Sequence, residues 1–440
     1  MSWAGRSIRE GTRVPFAARL RAHVLVIATG EGLARLCNLL LVVFISRRFG
    51  VRAAGAYAAA QALALYQMYG IDFGLRQSGA RLVARYPHSA RQVTGFVQRR
   101  RVALAIVAII VGYLYGRVGP VQQDARHVVS LYALAVFGYA LSVDWLAWGM
   151  QRFALMAGWR AMVSAVALTV TVLCVVIFHV GLLIIAFAVG LAYLVAGIWL
   201  WLAWARKITT RDHATDSELK PSAFPTLRST AALGLALLMY QAFFSIDTMM
   251  LGAMTDSAQT GLYSAAYRLL LLVLAVYYFV MQAVYPRLAS IPEEQRRLHP
   301  LRRPLLFAVT AGVGIALVMW LARRLLIQLL FGPAFAPSAK LAQPLLLAIP
   351  FDFVTSVLLT VLIAWDHPRR VIAATGTALA VNVVLNLFLI PRYGAMGAAY
   401  ATPVSYLPFL LVLLWQLHRV SRKGAQPSEL AEQTTPTLVS

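Results

Sequence analysis

The residues that could do chemistry in this sequence are ionisable side chains set inside long apolar stretches. Glu31 and Arg35 fall in "ATGEGLARLCNLLLVVFISRRFG", residues 28–50. Four residues apart on a helix, they share one face and reach each other. At 1.5 Å of rise per residue they lie roughly 12 and 18 Å in from His23. An arginine that deep in a bilayer costs about 2.5–3.5 kcal/mol even on the lenient insertion scale, so it should face protein or water. Two readings follow. The pair satisfies itself and eases insertion, or Arg35 faces a central cavity, held by Glu31, and meets an anionic head group. A guanidinium suits the second role, because its planar donor fork matches phosphate oxygens.

Arg268 is the second such charge, roughly 10 Å inside its span. Asp247 lies at similar depth on the preceding, antiparallel span, and a Coulombic pair between them is expected. That pair is a clamp between helices, or else Arg268 lines the cavity while Asp247 tunes it or carries a coupling cation. Asp352, in "AIPFDFVTS", follows Pro344 and Pro350, which remove backbone hydrogen bonds and bend helices. A kinked helix with a mid-membrane acid suits a proton or Na⁺ site. A structural, hydrogen-bonded Asp reads equally well. Arg76 and Arg81, beside Asp72, stand at the inner end of the second span, with Asp144 at the inner end of the fourth. They receive an anion at the cavity mouth, or they set topology. Asn382 and Asn386, one turn apart, read as interhelical hydrogen-bonding residues.

Other chemistry leaves no trace. There is no GxxxxGK[ST] phosphate loop, no HExxH and no CxxC. The eight histidines are scattered at span ends and in loops. Cys37 and Cys174 fall within spans and read as small apolar fillers rather than a disulfide. No resident cofactor or metal is expected; a coupling H⁺ or Na⁺ is the only ion the residues suggest.

The elements that must position these charges are membrane helices. Of 440 residues, 60% are hydrophobic and 13% charged. A soluble chain is nearer half apolar and a quarter charged. The expected fold is an all-α polytopic membrane protein of about twelve spans: 23–46, 53–72, 102–117, 128–150, 158–178, 181–204, 229–252, 261–285, 304–322, 341–364, 371–390 and 397–417. Residues 1–22 form a basic N-tail without the apolar core of a cleavable signal, so the first span is expected to target the chain. Residues 205–228 form a linker between a six-span N-lobe (23–204) and a six-span C-lobe (229–417). The polar segment 418–440 reads as a disordered tail. Trp199, Trp201 and Trp204 suit an interfacial anchor.

With both ends inside, inner segments hold 29 Lys and Arg against 9 in outer loops. Positive residues orient membrane proteins, so both termini are expected in the cytoplasm. The same bias accounts for most of the net charge of +24 without any nucleic-acid partner. "GAYAAA" from Gly55 and "GLYSAA" from Gly261 form a weak repeat, each opening an even-numbered span. Six spans per half keep one orientation, as in parallel-repeat transporters with a site between the halves.

"NLLLVVFISRRFGVRAAGAYAAAQAL" (38–63), "DFGLRQSGARLVARYP" (72–87), "SIDTMMLGAMTDSAQTGLYSAAYRL" (245–269) with "YPRLA" (285–289), and "LIPRYGAMGAAYATPVSY" (389–406) occur in order across both halves. Together they resemble the bacterial polysaccharide-unit flippases of the multidrug/oligosaccharidyl-lipid/polysaccharide exporter superfamily. The resemblance implies a V-shaped bundle of two six-helix lobes around a central cavity. It implies movement of an undecaprenyl-diphosphate-linked oligosaccharide from the cytoplasmic to the periplasmic leaflet of the bacterial inner membrane, by alternating access without ATP. A polysaccharide polymerase and a chain-length regulator are partners by resemblance only, and surrounding membrane lipids are implied. On this reading Arg35, Glu31, Arg268, Arg76 and Arg81 line the substrate cavity, and Asp247 and Asp352 are ion-coupling candidates.

Two other functions compete. A cation-coupled drug exporter of the same superfamily should favour an acidic cavity, whereas this set mixes arginines with acids. A membrane polysaccharide polymerase or glycosyltransferase, an enzyme, should need a sizeable outer loop with catalytic charges. The longest outer loop expected, residues 323–340, has no acid.

Overall fold

The computed structural model describes residues 16–208, 224–289, 301–365 and 367–423. The expected basic tail before residue 16, most of the linker, and the polar tail from 424 lie outside the described residues.

The chain opens with α1, Phe16–Asp72, 57 residues written as one helix. At 1.5 Å per residue it would be about 85 Å long, far beyond the roughly 30 Å of a hydrocarbon core. It is therefore two crossings. The break is at Gly50, with φ 80° and ψ −173°, a conformation that glycine adopts without a Cβ penalty. Spans one and two of the sequence reading are joined there by a single residue rather than by a loop. Eleven helices among the described residues are long and apolar enough to cross a membrane, and the first holds two crossings, which restores twelve.

In the first half follow α2 (Leu75–Arg85), α3 (Ala90–Val118), α4 (Gln123–Leu141), α5 (Asp144–Gly149), α6 (Phe153–Ile177) and α7 (Ile184–Ile208). The second half has α8 (Leu227–Met254), α9 (Ser257–Ala289), α10 (Arg302–Phe331), α11 (Ser338–Leu346), α12 (Ala348–Ala364), α13 (Pro368–Tyr393) and α14 (Ala395–Lys423).

Three boundaries differ from the sequence reading. The third span was expected from 102, but α3 begins at Ala90 and carries Arg101 inside the bundle. The fourth was expected unbroken to 150, but α4 stops at Leu141. No proline or glycine ends it. There the Arg101 guanidinium donates to the carbonyls of Ser142 (2.5 Å) and Tyr139 (3.3 Å), the latter also accepting from the N–H (3.0 Å) and hydroxyl (2.8 Å) of Ser142. The long outer loop at 323–340 is largely helix: α10 runs to Phe331 before a turn at Pro333–Phe335. The proline bend expected before Asp352 is present, as the break between α11 and α12 at Leu347. Pro350 has no N–H to return to the carbonyl of Leu346.

The two halves meet through α1, which packs on α8 and α9. The contact is closest at the two glycines of the sequence repeat. A Cβ on Gly55 would overlap the Ser257 carbonyl and crowd the Gly261 nitrogen at 2.8 Å. A Cβ on Gly261 would overlap the Val51 carbonyl and come within 3.0 Å of the Gly55 nitrogen. At this end Gln122 also donates to the Thr255 carbonyl, and Arg47 to the last carbonyls of α10, Leu329 and Leu330. The opposite end, rich in arginine, has its own contacts between halves. Gly74 (φ 79°) abuts Thr230 and Gly234, Arg100 donates to the Pro225 carbonyl, and Phe96 lies 4.5 Å from Phe224, centroid to centroid.

Candidate functional site

Between the halves lies a cavity of about 770 Å³, within the roughly 300–1,000 Å³ of small-molecule sites. Its wall is mostly first-half helices α1, α2 and α6, closed on one side by α8 and α9. Four arginines line it, Arg35, Arg76, Arg160 and Arg268, against three acids, Glu31, Asp72 and Asp144.

Each acid is engaged. Glu31 bridges two cations: Arg35 Nε at 3.3 Å and Arg160 Nη1 at 2.5 Å. The i,i+4 pair read from the sequence is therefore present, but it is one arm of a three-residue cluster. Arg160, which the sequence reading does not single out, is the second partner. Phe153–Ile177 carries it one helix away from α1, and no local pattern links position 160 to 31. Arg35 keeps 43% of its side-chain surface accessible and faces the cavity.

Asp144 holds Arg76 through Oδ2, at 2.7 Å to Nη2 and 3.1 Å to Nε. Asp72 accepts from the Tyr139 hydroxyl at 2.5 Å and lies 3.1 Å from Arg101 Nε. Arg101 is fully buried. The sequence places it last in the run "QRRR" of residues 98–101, just before the expected third span. Arg81 does not join the cavity. Five residues separate it from Arg76, about 140° around a helix. Arg76 thus faces Asp144 while Arg81 is exposed on the far face of α2.

Arg268 is different. It donates to Asn38 Oδ1 at 2.9 Å and to Gln61 Oε1 at 2.6 Å, both on α1. Among the described residues no carboxylate meets it. The expected pair with Asp247 does not form. Tyr263 and Arg268 are also about 140° apart on α9. Tyr263 faces Asp247, so Arg268 faces the other half.

Asp247 is buried among polar groups of the second half. It accepts from Tyr263 and Thr402 hydroxyls, both at 2.9 Å, and from Asn386 Nδ2 at 2.5 Å. Asn386 also donates to Asn382 Oδ1 at 2.9 Å, and its own Oδ1 has no donor. Of the two asparagines, Asn386 bonds across to Asp247 on α8, whereas its bond to Asn382 stays within α13. Asp352 lies on α12, accepting from Tyr406 at 2.9 Å and from Ser356 at 3.3 Å, outside the lining of the central cavity. Among the described residues no cluster of three or more His, Cys, Asp or Glu could hold a metal.

A membrane bundle of two joined halves with a charged cavity between them is the architecture of known transporters, and solved structures share it. The chain resembles the lipid II flippase MurJ in an inward closed conformation, with TM-score 0.70 over 91% of this chain and 90% of that one, at 15% identity. It resembles an inward-facing multidrug-resistance MATE transporter of the MOP superfamily, with TM-score 0.69 over 94% of this chain and 100% of that one, at 13% identity. These likenesses show the fold.

Residues 20–291 match the family described as polysaccharide biosynthesis protein, and the chain belongs to it. A relative from Escherichia coli K12, named as an O-antigen transporter, is 22% identical over 348 residues, 76% of this chain and 80% of its own length. AglR of Haloferax volcanii, named as a flippase, is 26% identical over 168 residues, 36% of this chain. That match spans only 35% of AglR. The family read from the sequence motifs is thus the one found, and the protein is a multi-pass membrane protein.

Proposed function

We propose that the protein flips undecaprenyl-diphosphate-linked oligosaccharide repeat units from the cytoplasmic to the periplasmic leaflet, for O-antigen, capsule or exopolysaccharide synthesis. Arg268 carries the proposal. A guanidinium at mid-membrane depth is costly. Among the described residues only two amide oxygens hold it, so its charge stays available to an anionic guest. Arg35 and Arg76 supply further planar donors on the same cavity, and Glu31 and Asp144 orient them. A diphosphate fits four arginines over three acids better than a cationic drug does.

The coupling ion belongs at Asp247. The carboxylate, the hydroxyls of Tyr263 and Thr402 bonded to it and the Asn386 amide form a polar cluster from four helices. Such a set suits a hard monovalent cation such as Na⁺, or a proton on Asp247. Asp352, with two hydroxyl donors, is the secondary candidate. The positive-inside count supports an inner-membrane protein with both termini cytoplasmic. A polymerase and a chain-length regulator are its natural neighbours on this reading.

The test is the lipid of a strain lacking the gene. The repeat unit linked to lipid should accumulate on the cytoplasmic leaflet, with polymer lost. Unpolymerised units on the periplasmic side would instead indicate a polymerase and end this reading.

A further inference from the structure

A second cavity, about 410 Å³, lies at the arginine-rich end of the first half. None of its lining residues lines the central cavity. Its floor is apolar, with Leu146, Met150 and Leu200. His88, Arg91 and Arg152 stand around it, and no acid does. All three are exposed, and none forms an ion pair among the described residues. Trp204 forms one wall, and its indole N–H is buried without an acceptor.

The backbone adds to the positive field. The first turns of α3 and α6, two long helices, both border the cavity, and helix N-termini favour anions. Between α5 and α6 the chain closes with Gln151 at φ 56°, a left-handed conformation uncommon for a residue with a Cβ. The Gln151 N–H donates to the Trp148 carbonyl (2.9 Å) and the Arg152 N–H to that of Ala147 (2.7 Å). This closure delivers Arg152 to the rim. Strained turns of this kind collect at ligand sites.

We propose that this cavity binds an anionic phospholipid of the surrounding leaflet. The phosphate sits among Arg91, Arg152 and His88, and the apolar floor receives the upper part of an acyl chain. Trp204 supplies the interfacial contact. Arginine clusters at the membrane surface attract anionic headgroups. An apolar floor beside them favours a lipid over a free phosphate. The assignment needs no transported substrate, so it stands or falls apart from the flippase reading.

The test uses the full chain in phosphatidylcholine vesicles containing brominated phosphatidylglycerol or brominated phosphatidylcholine. Bromine quenches nearby tryptophan, and the difference between the protein and its Trp204→Phe variant isolates Trp204. The phosphatidylglycerol probe should quench this component severalfold more strongly. An Arg91→Gln/Arg152→Gln double variant should lose that preference while remaining monodisperse with an unchanged melting temperature, since both side chains are exposed. Equal quenching by the two lipids, or full preference in the double variant, would overturn the proposal. Relief of quenching by millimolar inorganic phosphate alone would assign the site to a free anion and equally end the lipid assignment.

Discussion

At the scale of single residues, the site rests on which charges are compensated. Glu31 and Asp144 each hold an arginine through direct contacts, and Asp72 holds Arg101. Among the described residues Arg268 has only the amides of Asn38 and Gln61. Replacing a buried, uncompensated cation with a neutral amide removes a desolvation cost. Arg268→Gln should therefore keep or raise the melting temperature while lowering transport at least about tenfold, equivalent to ~1.4 kcal/mol. A structural role would show the reverse, a lower melting temperature with transport retained per folded molecule. Asp247 makes the complementary case. Asp247→Asn keeps the size of the side chain and removes the charge that would hold a cation. Transport by this variant should no longer respond to the Na⁺ or proton gradient that drives the parent, measured in vesicles with imposed gradients. An unaltered response would move the coupling role away from Asp247.

At the scale of elements, two unrelated devices shape the helices around the cavity. The first is Arg101, which bonds the carbonyls of Tyr139 and Ser142 at the end of α4 and also pairs with Asp72. Removing one partner of a buried pair typically costs about 3–5 kcal/mol, because the other charge is stranded. Arg101→Ala should destabilise the protein by that order, read as a large drop in melting temperature in detergent. Adding Asp72→Asn should recover part of the loss. The second device is the close approach of Gly55 and Gly261, where neither position has room for a Cβ. Gly55→Val should force α1 and α9 apart at that end. Thiol labelling of a cysteine at Gln61 should then become faster from the side of the membrane at that end, in a background lacking Cys37 and Cys174. Labelling at the parental rate would show that this contact does not control access.

At the scale of the whole molecule, contacts between the halves occur at both ends of the bundle. One end has Gly55–Gly261, Gln122–Thr255 and Arg47 on the end of α10; the other has Gly74–Gly234 and Arg100–Pro225. Arg268 bridges the halves between these ends through α1. Alternating access requires each set to break in turn, and so must the Arg268 contacts. Linking Gln122→Cys to Thr255→Cys with a short bifunctional maleimide should stop transport, and so should linking Arg100→Cys to Pro225→Cys. Cleavable linkers should restore it on cleavage. Full transport with either link in place would exclude a rocking of the halves.

The sequence by itself determined the helical class and the twelve crossings, which depend on composition and local period, and the family, which the ordered motifs of both halves carry. A bilayer demands about twenty apolar residues per crossing, and that demand is written in the chain order. The repeat at Gly55 and Gly261 was legible too, and so was the pairing of Glu31 with Arg35, four residues apart. What only tertiary structure decided was the company each charge keeps. Arg160 reaches Glu31 from 129 positions away, and Asn38 and Gln61 reach Arg268 from more than 200. Asp247 turns from Arg268 to Asn386 and Thr402 because their helices rotate opposite faces toward different neighbours. Arg101 reaches the carbonyls at the end of α4 from 41 and 38 positions away. Such contacts depend on helix rotation and packing, which residue spacing along a single segment does not encode.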